Sequence, residues 1–398
     1  MRSKKIGLAL QGGGSYAAFT SGVLKAMFEE KGIIDKEFVH SISGTSGGAL
    51  NAMLLGLAIH EGRKDPVEYV KNLWKINRLE SLLKDKFKTL KLVPDDFLAR
   101  LVGIGRKIKD TIPSLSAAFE TSAKATTFVF DTINEVVHDA AKSLPKDLNT
   151  EFLENKPPYV TVAATEAKSA RAHYFTNNTT MVNRYNKLKI GKYHQAMNPL
   201  TLNGVYASIS HPIIFRSLTM DDRKYWDGYY TSNPPFIYLF REGCDEVILV
   251  RLVQMSREEI KEDLKSVSDR IEEIVQNSVI NMEILTYFSM REMLYNNEKV
   301  LKSANLELAK GKFSLNKVFH EIRLMKSGNI KDEGFPLSEF VDKLIRLGKK
   351  AVKSKNGFAS EYSNIKNKRL HVLTSVDFET EEVQSTTIDY DKLLFEED

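Results

Sequence analysis

Phe38-Val39-His40-Ser41-Ile42-Ser43-Gly44-Thr45-Ser46-Gly47-Gly48-Ala49-Leu50-Asn51 passes from a strand-like run into a helix-like run, and the change falls on a serine between glycines. Gly44 and Gly48 stand two residues before and two after Ser46. This G-x-S-x-G spacing is that of a nucleophile elbow, a strand-to-helix bend so sharp that side chains at its flanks would collide. The bend pushes Oγ of Ser46 out of the sheet and leaves the N–H of Gly47 pointing at whatever the serine attacks. The string alone arises by chance. Its strand-turn-helix context makes it an acyl-hydrolase candidate.

Upstream, residues 5–10 form a short strand, followed by a glycine turn and an amphipathic helix with Phe19, Val23, Leu24, Met27 and Phe28 on one face. Gly32 is placed to end that helix. Residues 1–60 therefore read β-α-β-α, the opening of an α/β sheet sandwich. Gly12, Gly13 and Gly14 lie between the first strand and helix, where successive backbone N–H groups make a concave donor site for negative charge. One reading is an oxyanion hole, in which losing a donor costs about 10²–10³ in rate. Another is a dinucleotide site, because Gly12-Gly13-Gly14-Ser15-Tyr16-Ala17 fits G-x-G-x-x-A, with Asp35 or Glu37 as the downstream acid. A tight turn with no ligand is the third. The elbow close downstream favours the oxyanion hole.

The chain of 398 residues, 42% hydrophobic and 27% charged, has the composition of one large or two modest globular domains. A formal charge of +5 without RNA-binding aromatics or zinc-finger spacings gives no reason to expect nucleic acid. It leaves room for a weak attraction to an anionic membrane surface. Cys244 is the single cysteine, which excludes an internal disulfide framework and suits a reducing compartment. The apolar run after Lys5 breaks at Gln11-Gly12-Gly13-Gly14, too early for a signal peptide. No apolar stretch approaches the roughly 18 residues a membrane span needs. The expectation is a cytoplasmic protein, peripheral to membranes if it acts on lipid.

From about residue 71 to residue 148 strand signals vanish. The sequence becomes basic and amphipathic, with Lys84, Lys86, Lys88, Lys91, Arg100, Arg106, Lys107 and Lys109 among Leu98, Leu101, Ile104 and Ile108. Strand signals return at residues 159–164, 172–175 and 246–252. Long helices are expected over 256–308 and 337–352. Residues 377–398 carry nine acids against one lysine and read as a loosely ordered tail.

A serine nucleophile needs a base. Asp227-Gly228 follows the aromatic run Lys224-Tyr225-Trp226, a context in which Asp-Gly is ordinarily a hairpin turn. Of the eight histidines His211, before Pro212, is the best placed, although an ordinary turn histidine outweighs a catalytic one at that position. None of the eight shows metal-ligand spacing, so neither a metal nor another cofactor is expected.

In order, Gly12–Gly14, Gly44-Thr45-Ser46-Gly47-Gly48 and Asp227-Gly228 resemble the patatin-like phospholipase family. Leu10 to Ser15 with Gly22-Val23-Leu24 resembles its first block. Ala207-Ser208-Ile209-Ser210-His211-Pro212-Ile213-Ile214-Phe215 is similar to its approach to the Asp-Gly strand, and Trp226-Asp227-Gly228 with Asn233-Pro234-Pro235 to the aspartate block. The resemblance covers 5–75 and about 158–255. It implies a Ser46–Asp227 dyad without histidine, an oxyanion hole around Gly12–Gly14 and Gly47, and elbow and motif glycines Gly44, Gly48 and Gly228. Tyr16-Ala17 and Tyr229 depart from the family pattern and bear on the width of the acyl channel. The implied fold is a three-layer α/β/α sandwich: a catalytic domain over 1–255 with a helical insertion at 76–157, a helical region over 256–376, and the acidic tail. The implied activity is calcium-independent hydrolysis of phospholipid or lysophospholipid. Rival readings are a neutral-lipid or small-ester hydrolase on the same dyad, and a nucleotide-binding protein using the glycine turn. The basic insertion reads as a lid or membrane-facing element, or as an ordinary helical subdomain.

Overall fold

A computed structural model describes residues 4–30, 33–74, 122–187, 196–212, 217–252, 262, 264–303, 317–325, 337–365, 370–389 and 392. Strand β1 (Ile6–Leu10) leads through the glycine turn to helix α1 (Ala17–Glu29), then β2 (Val39–Gly44) and α2 (Gly47–His60). Next come α3 (Glu68–Trp74), α4 (Ser122–Ala140), β3 (Tyr159–Glu166), β4 (Arg171–Thr176), α5 (Thr179–Lys187), β5 (Ala196–Pro199) and α6 (Leu202–Ile209). A hairpin of β6 (Leu218–Met220) and β7 (Arg223–Asp227) precedes α7 (Phe236–Glu242) and β8 (Glu246–Arg251). The chain closes with α8 (Leu264–Ser303), β9 (Val318–Met325), α9 (Leu337–Lys353), α10 (Phe358–Asn364), β10 (His371–Asp377) and β11 (Val383–Ile388).

Among the described residues all eleven strands join one sheet, whose main path runs β11-β10-β9-β8-β1-β2-β3-β4-β5. Its centre, from β10 to β3, is parallel; β11 pairs antiparallel with β10 on one flank, and on the other β4 pairs antiparallel with β3 and parallel with β5. Central strands buried on both faces read as continuous apolar runs, and β1 and β8 are buried along their whole length. Side chains of each strand alternate between two cores. Leu8, Leu10, Ile248 and Val250 pack with α1, α2 and α9 on one face, while Ala9, Val247 and Leu249 pack with α7 and α8 on the other. This is a three-layer α/β/α sandwich.

The expected helical region over 256–376 and the acidic tail turn out to supply strands β9, β10 and β11 to the same sheet. Val318, Phe319, Ile322 and Leu324 of β9 are buried, and β11 uses the β-branched residues Val383, Thr386, Thr387 and Ile388, a strand composition that the surrounding acids obscure. Of the expected insertion, residues 76–121 lie outside the described residues. The remainder includes the amphipathic helix α4. Helix α2 is apolar all round because it is covered on every side. Asn51 within it accepts from Trp74 Nε1 at 2.6 Å and donates to the carbonyl of Ala17 at 2.9 Å, tying α1, α2 and α3 together. Among the described residues no helix is long and apolar enough to cross a membrane.

Candidate active site

Parallel α/β sheets offer a ligand crevice at the C-terminal ends of strands where the chain turns to opposite sides. Here β1 is flanked by β2 on one side and β8 on the other, so the glycine turn after β1 opens onto that crevice. Gln11 anchors the turn to the end of β8: its N–H donates to the Val250 carbonyl at 3.1 Å, and its Oε1 accepts the Leu252 N–H at 2.7 Å. Gly14 has φ 57°, in the left-handed region, and Gly13 and Gly14 are half-exposed while Gly12 is buried.

Ser46 sits between β2 and α2 with φ 55° and ψ −128°, a conformation that costs a non-glycine residue about 1–3 kcal/mol. The surroundings enforce it. A Cβ on Gly44 would overlap the Gly48 carbonyl, and one on Gly48 would overlap the Leu10 carbonyl. The N–H of Ser46 donates to Ser208 Oγ at 3.1 Å, fixing the bend against α6. A Cβ on Gly12 would lie 2.7 Å from Ser46 Cβ, which brings the glycine turn directly alongside the serine.

Asp227 reaches the same place by a different route. Strand β2 pairs with β3 only as far as Gly44 opposite Val162, because beyond it the chain bends into the elbow. The edge of β3 thus vacated is taken by β7, which runs antiparallel and puts Asp227 opposite Ala164. Ser46 and Asp227 therefore both flank the point where β2 leaves the sheet. Gly228 confirms the closeness, since its Cβ would be 3.0 Å from Thr45 Cγ2. Asp227 is 2% exposed. Its carboxylate accepts the Tyr229 N–H at 3.0 Å, its N–H donates to the Ser210 carbonyl at 2.9 Å, and its carbonyl accepts from Thr165 Oγ1 at 2.9 Å.

One expected donor is already engaged: the Gly12 N–H donates to Asn233 Oδ1 at 2.7 Å. The N–H groups of Gly13, Gly14 and Gly47 have no hydrogen-bond partner among the described residues. Ser208 and Asn233 were not expected as supports. They act across 162 and 221 residues of sequence, and only the Asn-Pro-Pro after Asp-Gly hinted at the second.

Several of the described histidines are engaged elsewhere. His211 stacks on Tyr229 with ring centroids 5.2 Å apart, and burial lowers its pKa to about 4. His40 and His60 meet the carbonyls of Glu242 and Pro158 at 3.2 and 3.1 Å. His371 Nδ1 lies 2.7 Å from the Phe319 carbonyl, and His320 Nδ1 accepts the Val372 N–H at 3.0 Å. Asp35 and Glu37, the acids a dinucleotide site would use, precede β2. Because β1 and β2 are parallel, they lie at the opposite end of the sheet from the glycine turn. Among the described residues there is no cluster of histidine, cysteine and acidic side chains able to hold a metal ion.

A left-handed serine at a strand-to-helix bend, above a mostly parallel sheet, gives an α/β protein the backbone form of a G-x-S-x-G elbow. Residues 8–240 match the family model for patatin-like phospholipase, and the chain belongs to that family. The crystal structure of VipD from Legionella pneumophila is similar over 88% of this chain and 66% of that chain, at 16% identity and a TM-score of 0.34. Comparison with curated proteins finds no match.

Proposed function

We propose that this protein is a calcium-independent phospholipase A or lysophospholipase working through a Ser46–Asp227 dyad and an acyl-enzyme. The observation that carries the reading is the convergence of a strained Ser46 and a buried Asp227 on the gap where β2 leaves β3. Ser46 Oγ attacks the ester carbonyl carbon as its proton passes to the Asp227 carboxylate. The negative charge moves to the carbonyl oxygen, which the N–H groups of Gly13, Gly14 and Gly47, unengaged among the described residues, are available to bind. Gly47 opens α2, so the positive end of that helix adds to the same charge. The tetrahedral intermediate collapses, and Asp227 returns the proton to the departing alcohol. Water then repeats the cycle on the acyl-enzyme.

Gly12 has a supporting part, holding the turn through Asn233. The dinucleotide alternative loses its ribose-binding acid, because Asp35 and Glu37 are at the far end of the sheet. Neutral lipids and small esters use the same chemistry and differ only in what binds beyond the ester. The substrate is membrane phospholipid or its lysolipid, met at a bilayer surface. The basic residues 84–109, our candidate for that contact, lie outside the described residues.

Release of fatty acid from phosphatidylcholine and lysophosphatidylcholine vesicles in the presence of a calcium chelator tests the reading. Ser46→Ala is expected to abolish release, and Asp227→Asn to lower kcat by about 10²–10⁴. Undiminished release from Ser46→Ala would discard the nucleophile. Release from triacylglycerol alone would shift the substrate to neutral lipid.

A further inference from the structure

The hydrogen bonds around the elbow lead to a carboxylate well outside it. The Gly12 N–H is held by Asn233 Oδ1 at 2.7 Å, and Thr45 Oγ1 donates to the Ser232 carbonyl at 2.7 Å. Residues 232–233 thus grip the glycine turn on one side of Ser46 and the elbow on the other. That segment is itself fixed by Glu283 of α8. Ser232 Oγ donates to Glu283 Oε1 at 2.8 Å, and the Ile237 N–H, in the first turn of α7, donates to Glu283 Oε2 at 2.9 Å. Both carboxylate oxygens are therefore used on the two ends of one loop.

We propose that Glu283 is a positioning residue of the hydrolase site, setting the placement of Gly12–Gly14 and Ser46 through Ser232 and Asn233. The inference rests on the hydrolase reading and extends it to a helix beyond the family-matched residues 8–240. Three features support it. A carboxylate at the start of α7 satisfies a helix N–H that would otherwise lack an intrahelical partner. Helix α8 is anchored independently of the site, because Arg251 Nη2 donates to Asn277 and Asn281 at 2.6 and 2.9 Å and Arg291 Nη1 to the Lys317 carbonyl at 2.7 Å. The same helix packs against the turn Gly228–Tyr230 that follows Asp227. Burial lifts the Glu283 carboxyl above the usual carboxylate range, against the pull of the Ile237 and Ser232 donors. The contact is thus held by geometry in a poorly solvated place.

Displacements of about 1 Å in a reacting constellation cost on the order of 10²-fold in rate. Removing the clamp should therefore appear in chemistry more than in binding. The experiment measures fluorophosphonate labelling rates and steady-state hydrolysis of lysophosphatidylcholine for full-length Glu283→Ala, Glu283→Gln, Ser232→Ala and Ile280→Ala, with melting temperatures for each. Ile280 is fully buried one turn from Glu283 and serves as the packing control. Glu283→Ala is expected to slow labelling and kcat about 10–100-fold at unchanged KM. Glu283→Gln, which keeps the shape and one acceptor, should recover to within about threefold of wild type. Ser232→Ala should lose about 3–10-fold, and Ile280→Ala should lose melting temperature but not labelling rate. Wild-type rates in Glu283→Ala, or in Ser232→Ala should Glu283→Ala fail to fold, overturn the proposal. So does equal slowing in Ile280→Ala. Failure of the hydrolase reading looks different: wild type goes unlabelled, or Ser46→Ala remains labelled.

Discussion

At Ser46 the backbone and the side chain have opposing interests. A φ of 55° with ψ −128° suits glycine, yet the position holds the one side chain the chemistry needs. Ser46→Gly is therefore expected to raise stability by about 1 kcal/mol while abolishing labelling. Thermal denaturation beside a labelling gel checks both halves, and a melting temperature below that of wild type would argue against stored strain. The elbow was legible in the sequence because close packing fixes glycines at set offsets around it. Asp227 was legible only through resemblance, since Asp-Gly after an aromatic strand also describes a hairpin. Ser208 and Glu283 left no local pattern, and Asn233 only the Asn-Pro-Pro after Asp-Gly, because each acts through hydrogen bonds across more than 45 residues. The engagement of the Gly12 N–H, likewise, is a property of the partner and not of the glycine.

Among the elements, the decisive event is the handover on the edge of β3, where β7 takes over from β2. A parallel strand pair supplies the serine and an antiparallel hairpin supplies the aspartate. A second contact joins the two ends of the chain: α1 and α9 cross so closely that a Cβ on Gly22 would overlap the Ile345 carbonyl, and one on Gly348 the Phe19 carbonyl. Gly348→Ala is expected to destabilise by about 1–3 kcal/mol through overpacking, read as a lower denaturation midpoint. An unchanged midpoint would mean that the helices part without cost. Strands β1, β2, β3 and β8 and the first helices were readable from apolar runs and periodicity, whereas β9 was not. Strands β10 and β11 were not, because their polar outward residues and nearby acids resemble a solvated tail. Their identity comes from pairing, β10 with β9 and β11 with β10, a tertiary fact.

For the molecule as a whole, both ends of the sheet carry features, but of different kinds. The C-terminal ends of the central strands carry the glycine turn and elbow. A cavity of about 680 Å³ at the opposite end, lined by Ile6, Phe28, Val318 and His320, contains none of the site residues. Four histidines are held neutral chiefly by burial: His173 and His211 near pKa 4, His320 and His371 near pKa 3. Their folded values lie below the unfolded value of about 6.5. Each contributes stability that is complete above that pH and is lost as pH falls towards its folded value. Within this window each group adds a slope of about 1.4 kcal/mol per pH unit. The melting temperature should therefore fall steeply from about pH 6.5 to about pH 4, and a flat profile there would contradict the buried neutral rings.

The central claim is that Ser46, activated by Asp227, is the nucleophile. Peptide mass mapping of the fluorophosphonate adduct tests it most directly. The account predicts one modified peptide, carrying the mass on Ser46, formed on the order of 10²-fold more slowly or worse in Asp227→Asn. An adduct on Ser208 or another serine, or one formed at an undiminished rate in Asp227→Asn, would contradict it.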